Sequence, residues 1–261
     1  MGLPDFLLVG APKCGTSALH AALARHPELF LSEPKEPKFF LTDGPPPSAG
    51  GGPGDVATWG EHVWRRADYE ALFAAAPPGV LRGESTTFYL YDRGAQWRIR
   101  ELLPDARLVA VLRDPVERAH SNWAHLRGAG LEAEADFLTA LDREDDRIAA
   151  GWAQFWHYAG LGRYGGQLEH LFSLFAREQV LLVRYRELLE APGPTVDRVC
   201  RFLGVRVGAV TDVPRRNVRP EVTGRTAGPT PAERAAALPG FVDEVTVVEK
   251  LTGWDLDEWR R

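Results

Sequence analysis

The sequence predicts an α/β fold: one domain with a central parallel β-sheet and helices on both faces. Three observations lead there. Short, nearly continuous apolar runs at residues 5–10, 107–113 and 179–184 read as buried strands. Segments of helical length separate them, and strands alternating with helices call for parallel pairing. The first run passes through Gly10-Ala11-Pro12-Lys13-Cys14-Gly15-Thr16-Ser17 straight into Ala18-Leu19-His20-Ala21-Ala22-Leu23-Ala24, which is a strand–loop–helix corner.

Taken in order, the first strand covers about 5–10 and its helix about 17–26, and Leu29-Phe30-Leu31 is a second short apolar run. Residues 44–54 are almost all glycine and proline and cannot hold regular structure; they form either a lid or a tolerated surface insertion. A helix near 66–76 precedes a strand at 79–84, and a helix over 94–103 stops before Pro104. After the strand at 107–113 the pattern predicts helices at 115–127, 134–149 and 163–176. The strand at 179–184 is followed by helices at 185–190 and 193–204, an irregular basic stretch at 208–229 and a last helix over 231–250. No internal repeat or domain boundary stands out, so residues 1–261 are expected to form a single domain.

Composition narrows the function. A net charge of -5 argues against a general polyanion binder, so no nucleic-acid partner is expected. Two cysteines give no disulfide framework. Cys200 shares a helical stripe with Val196, Val199 and Leu203 and reads as a buried small hydrophobe, while Cys14 should contribute its backbone to the loop around it. No run approaches the ~18 apolar residues of a membrane span. The first residues lack the basic region of a signal peptide, and a cytoplasmic location is the expectation.

Two segments carry chemistry. In the first corner, N–H groups of a helix start converge on an anion, Lys13 adds a charge, and Thr16 and Ser17 add hydroxyl donors. The nucleotide-triphosphate loop places lysine after the last glycine, with a hydroxyl for magnesium; here Lys13 precedes Gly15, so this is a different phosphate loop. The plainer alternative is a strand–helix corner with an exposed lysine. The second segment is Arg113-Asp114-Pro115-Val116-Glu117-Arg118-Ala119-His120-Ser121, where Arg113 ends a strand and Pro115 opens a helix. Arg113 and Ser121 can meet a second anionic group beyond the carboxyl ends of the strands. Alternatively Arg113 pairs with Asp114 or Glu117.

Together these segments resemble the sulfotransferases that use 3′-phosphoadenosine-5′-phosphosulfate (PAPS). The likeness rests on the loop at 10–18, on Arg113-Asp114-Pro115 with Ser121 eight residues after the arginine, and on Glu33-Pro34-Lys35-Glu36-Pro37-Lys38-Phe39-Phe40. The ending Leu251-Thr252-Gly253-Trp254-Asp255-Leu256-Asp257-Glu258-Trp259 adds a fourth match. The segment around Arg113 is most similar to the domains that modify heparan sulfate. The resemblance implies transfer of a sulfonate to a hydroxyl, with 3′-phosphoadenosine 5′-phosphate (PAP) as product and no metal. It implies that Lys13, Cys14, Gly15, Thr16, Ser17 and Ala18 hold the phosphosulfate, and that Arg113 and Ser121 hold the 3′-phosphate. Glu36 takes the place of the base, Lys13 stabilises the leaving phosphate, and His125 matches a site histidine of the N-sulfating members. Lys38 and Phe40 fall where the acceptor binds.

Two departures qualify the match. Glu84-Ser85-Thr86-Thr87-Phe88-Tyr89 has Ser85 where the heparan-modifying enzymes have lysine, which weakens the case for an anionic glycan acceptor. The family's late Lys-Gly-Arg clamp is not literal here; Gly224-Arg225 is the nearest pair, so Arg225 is expected on the 3′-phosphate, with Arg216 next. Glu36 between Lys35 and Lys38 also fits a surface ion pair, His125 fits a structural histidine, and the basic loop fits a solvated one. Trp59, Trp64, Trp97 and the stretch 152–158 fit either an acceptor pocket or core. The acceptor class stays open among small molecules, glycolipids and saccharides. The rivals are a nucleotide or small-molecule kinase and a non-catalytic nucleotide-sensing domain.

Overall fold

The computed structural model describes residues 2–210 and 228–261. Five strands form one sheet: β1 (Phe6–Gly10), β2 (Leu29–Leu31), β3 (Leu81–Ser85), β4 (Arg107–Leu112) and β5 (Val180–Arg184). Their order is β2-β3-β1-β4-β5, and every pairing is parallel. The helices are α1 (Thr16–Leu23), α2 (Asp55–Gly60), α3 (Arg66–Ala71), α4 (Arg93–Leu102), α5 (Pro115–Gly128), α6 (Phe137–Asp142), α7 (Glu144–Ala149), α8 (Tyr164–Leu174), α9 (Tyr185–Glu190), α10 (Pro192–Leu203), α11 (Pro231–Ala237) and α12 (Val242–Thr252). Among the described residues no helix is long and apolar enough to cross a membrane.

The described residues gather into two compact units interleaved along the chain. The first comprises residues 1–46, 61–113 and 170–218 and contains the whole sheet. Its strands bury both faces: all five residues of β1 are buried, and Leu108, Val109, Ala110, Val111 and Leu112 of β4 are fully enclosed. Helices flank the sheet. Cys200 is buried beside Val196, Val199 and Leu203 on α10, as its stripe predicts.

Because β1 lies between β3 and β4, the chain leaves it in opposite directions on its two sides. This is the point in an open parallel sheet where ligands bind, beyond the carboxyl ends of the strands. The register of β1 against β4 shifts between Leu8 and Gly10 just before that edge, and the Ala11 N–H bonds to the Val111 carbonyl at 2.9 Å. Gly10 has no room for a side chain, since a Cβ there would stand 2.6 Å from Leu90 Cβ.

The second unit comprises residues 47–60, 114–169 and 219–261. Its core packs Val116, Ala119, Trp123, Phe137, Trp156 and Phe241. Two predicted helices differ from expectation here. The helix expected at 134–149 is two, α6 and α7, because Glu144 turns inward and its carboxylate accepts the N–H groups of Ala159 and Gly160. The helix expected at 231–250 is interrupted at Leu238–Gly240, where Pro239 offers no N–H to continue α11. Trp156 and Trp59 belong to this core: Trp156 donates its indole N–H to Asp55 at 2.9 Å, and Trp59 packs against the cluster.

Candidate functional site

The predicted loop forms as a cradle. Gly15 caps α1 in the left-handed conformation, φ 81°, and no side chain caps the helix start. The Ala18 and Leu19 N–H groups turn back to the Gly15 carbonyl, which leaves those of Thr16 and Ser17 facing out of the first turn. Unsatisfied N–H groups and the positive helix end favour an anion at this place. Gly15 is obligatory on two counts: its φ favours glycine, and a Cβ would lie 2.9 Å from Cε2 of Tyr185. Cys14 is buried, with its thiol directed at the Pro12 carbonyl at 3.6 Å.

Arg113 follows β4 and comes to the same loop. Its Nη1 donates to the Lys13 carbonyl at 3.4 Å, and its guanidinium lies 4.8 Å from the centre of the Tyr185 ring. Of its two alternative partners, Asp114 is engaged elsewhere. It caps α5, accepting the Glu117 N–H at 2.9 Å, and holds Arg234 with both oxygens at 3.0 and 2.5 Å. Tyr185, the first residue of α9, thus covers Gly15 and braces Arg113. No motif marks it; its position directly after β5 was the available signal.

Glu36 and Lys38 follow β2. Strand β3 and the segment after it lace this loop in place. Ser32 N–H bonds to the Gly83 carbonyl at 3.0 Å, and Glu36 N–H to the Ser85 carbonyl at 2.9 Å. Lys38 N–H bonds to Thr86 Oγ1 at 3.1 Å, and Phe40 N–H to the Tyr89 hydroxyl at 3.2 Å. The Glu36 carboxylate accepts the Thr87 hydroxyl at 3.2 Å and the Lys35 ammonium at 2.7 Å, while its side chain keeps 24% exposure. The ion-pair alternative for Glu36 is therefore realised on Lys35, with the carboxylate still open to an incoming group. Lys38 is 5% exposed and reaches Glu61 at 2.6 Å. Next to it, burial and then the Lys38 charge bring His62 down to about 4. Phe40 is buried edge-on against Tyr69 and Tyr89. Phe39, Phe40, Trp64, Arg66 and Arg98 help line a cavity of about 320 Å³.

Among the described residues, Lys13, Glu36 and Lys38 are the non-glycine residues with positive φ, at 68°, 64° and 60°. Left-handed backbone at side-chain-bearing residues concentrates at functional sites. Ser85, the departure from the family pattern, is fully buried and pairs its hydroxyl with His20 Nδ1 at 2.9 Å.

Ser121 and His125 lie four residues apart on α5, so they share one helix face; Ser121 is half-buried and His125 exposed. Arg216 and Arg225 fall outside the described residues. The carboxylates of Glu249, Asp255 and Asp257 come within 4.8 Å of one another, but Arg260 grips Glu249 at 2.7 and 2.6 Å.

A strand–loop–helix corner thus stands at the carboxyl edge of a parallel sheet, and a partly exposed carboxylate follows β2 at the same edge. The chain belongs to the sulfotransferase family. Residues 91–208 match the profile of that family. A sulfotransferase of known structure from Alicyclobacillus acidocaldarius is 31% identical, with a TM-score of 0.88 and 100% of both chains covered. The human bifunctional heparan sulfate N-deacetylase/N-sulfotransferase 3 is 26% identical over 220 residues, covering 78% of this chain and 22% of that protein. Human heparan sulfate glucosamine 3-O-sulfotransferase 3B1 is 28% identical over 205 residues, covering 78% of this chain and 47% of that one. The chain thus spans about a fifth and about half of these two relatives.

Proposed function

We propose that residues 1–261 act as one PAPS-dependent sulfotransferase domain, moving a sulfonate to a hydroxyl of a small-molecule, glycolipid or saccharide acceptor. One observation carries the reading: an anion cradle after β1 and an accessible carboxylate after β2 lie on one edge of one sheet, two strands apart. At ~4.8 Å per strand step that is about 10 Å, room for a phosphosulfate and an attacking hydroxyl between them.

The donor's 5′-phosphosulfate sits in the loop of Cys14, Gly15, Thr16, Ser17 and Ala18, on the outward N–H groups of Thr16 and Ser17. Arg113 and Ser121 take the 3′-phosphate, joined by Arg225. Lys38, Phe40 and His125 face the acceptor. The acceptor oxygen attacks sulfur, Glu36 Oε2 takes its proton, and the bond from sulfur to the bridging phosphate oxygen breaks. Negative charge develops on that oxygen, where Lys13 neutralises it. Sulfuryl transfer through a loose transition state relies on positioning and charge in this way.

Calorimetric titration tests the donor. PAP should bind tightly without magnesium, and ADP, which lacks the 3′-phosphate, should bind at least about tenfold more weakly, a difference of ~1.4 kcal/mol. Equal affinity for the two, or a requirement for magnesium, returns the chain to the kinase reading. Glu36→Gln should retain PAP binding and lose turnover; unchanged function would point to a nucleotide-sensing domain.

A further inference from the structure

Directly behind the lacing of Glu36 and Lys38 lies a carboxyl group that the reading above does not use. Glu84, the penultimate residue of β3, has no exposed surface. It forms no ion pair among the described residues. One oxygen accepts the Tyr89 hydroxyl at a long 3.5 Å, and the other, Oε1, has no partner. The Tyr69 hydroxyl, from α3, is likewise buried and without a partner.

A carboxylate in this place would bury a full charge against one long hydrogen bond, whereas a carboxylic acid buries none. Glu84 is also wired to the base. Its neighbour Ser85 receives the Glu36 N–H, and its partner Tyr89 receives the Phe40 N–H, so both ends of the strained loop hang on groups adjoining this side chain. We propose that Glu84 is held as a neutral acid and serves as a positioning residue that keeps the Glu36–Phe40 loop in its active geometry.

The groups that bear on Glu84 are Tyr69 from α3, Tyr89 from the turn after β3, and Glu36 from the loop. Burial raises the Glu84 carboxyl to about 8; the Glu36 charge raises it further, and the Tyr89 hydrogen bond opposes the rise. Burial, and then the Glu84 charge, holds the Tyr69 phenol well above its ordinary value. Ionisation of Glu84 would set a second negative charge beside Glu36 and drive water or movement into the segment that laces the loop.

This inference gives Glu36 the role assigned above, so its test carries a readout that needs no turnover. Amide hydrogen exchange at Glu36, Lys38 and Phe40 would be followed by NMR from pH 6.5 to 9 in the wild type and in Glu84→Gln, which copies the neutral acid. Corrected for intrinsic rates, wild-type protection at these amides should fall about tenfold or more, the change carried by one pKa unit. In Glu84→Gln it should stay level. Parallel profiles in the two proteins overturn the proposal. So does loss of protection in Glu84→Gln at every pH, if its melting transition remains that of a folded protein.

Slow transfer of sulfonate from PAPS to water, read against pH, supplies the second arm. Wild type should lose kcat above about pH 8 with little change in KM for PAPS, and Glu84→Gln should keep it. A Glu84→Gln protein as inactive as Glu36→Gln would mean that Glu84 must ionise, contrary to the proposal. Should the wild type fail to bind PAP, the sulfotransferase reading falls while the exchange result still decides the state of Glu84.

Discussion

Lys13, Glu36 and Lys38 hold left-handed backbone that β-carbon-bearing residues avoid at a cost of roughly 1–2 kcal/mol each. Such a conformation persists only where the surroundings over-determine it. For Glu36 and Lys38 the fastening is visible in the hydrogen bonds to Ser85, Thr86 and Thr87. Thr87→Val should release the Glu36 carboxylate while preserving shape, and the expected outcome is a drop in turnover with PAP affinity unchanged. Gly15 is the complementary case, a glycine that must remain one. Gly15→Ala forces a methyl toward the Tyr185 ring at φ 81° and should lower stability by about 1–2 kcal/mol in urea titration. It should also weaken PAP binding in calorimetry, because the ring it displaces braces Arg113.

At the scale of elements, α5 shows how one side chain can serve two structures. Asp114 caps the helix and pairs with Arg234, whose own charge is strengthened first by that hydrogen bond. Asp114→Ala should cost about 1 kcal/mol for the cap and a further ~1–2 for the stranded partner. Asp114→Asn should recover most of the cap, and denaturant midpoints of the two variants separate the parts.

Legibility in the sequence follows the same physics. Strands β1, β4 and β5 were readable because burial on both faces leaves an uninterrupted apolar run. Pro115 announced the start of α5. The break between α6 and α7 was hidden, since it depends on Glu144 finding N–H groups of Ala159 and Gly160 fifteen and sixteen residues ahead. Candidate site residues in contiguous motifs, Lys13 and Glu36 among them, could be named through the family resemblance those motifs carry. Tyr185 and Glu84 could not, because their importance arises from partners 170 and 48 residues away in the chain, Gly15 and Glu36.

For the whole molecule, buried titratable groups set opposing slopes of stability with pH. Glu84 rises from 4.5 to about 8 on burial, so the folded state holds a proton that the unfolded chain has lost. Its contribution is complete below pH 4.5 and is lost as pH climbs to about 8. His62 goes the other way, from 6.5 down to about 4 through burial, so its contribution is complete above 6.5 and is lost as pH falls toward 4. His157 is lowered by burial as well and adds to the acid side. The melting temperature should therefore peak at mildly acidic pH, between the two unfolded values of 4.5 and 6.5. Calorimetry from pH 4 to 9 checks this, and Glu84→Gln should flatten the alkaline side alone.

The left-handed residues carry a warning for anyone engineering this protein. Glycine, or asparagine at lesser gain, relaxes such a backbone, so a library ranked only by heat resistance would enrich those residues at positions 13, 36 and 38. The winners would be sturdier proteins stripped of the ammonium and carboxylate groups that selection never examined. A pooled screen scored twice, once by heating and once by turnover, should see the two rankings part company at these sites first.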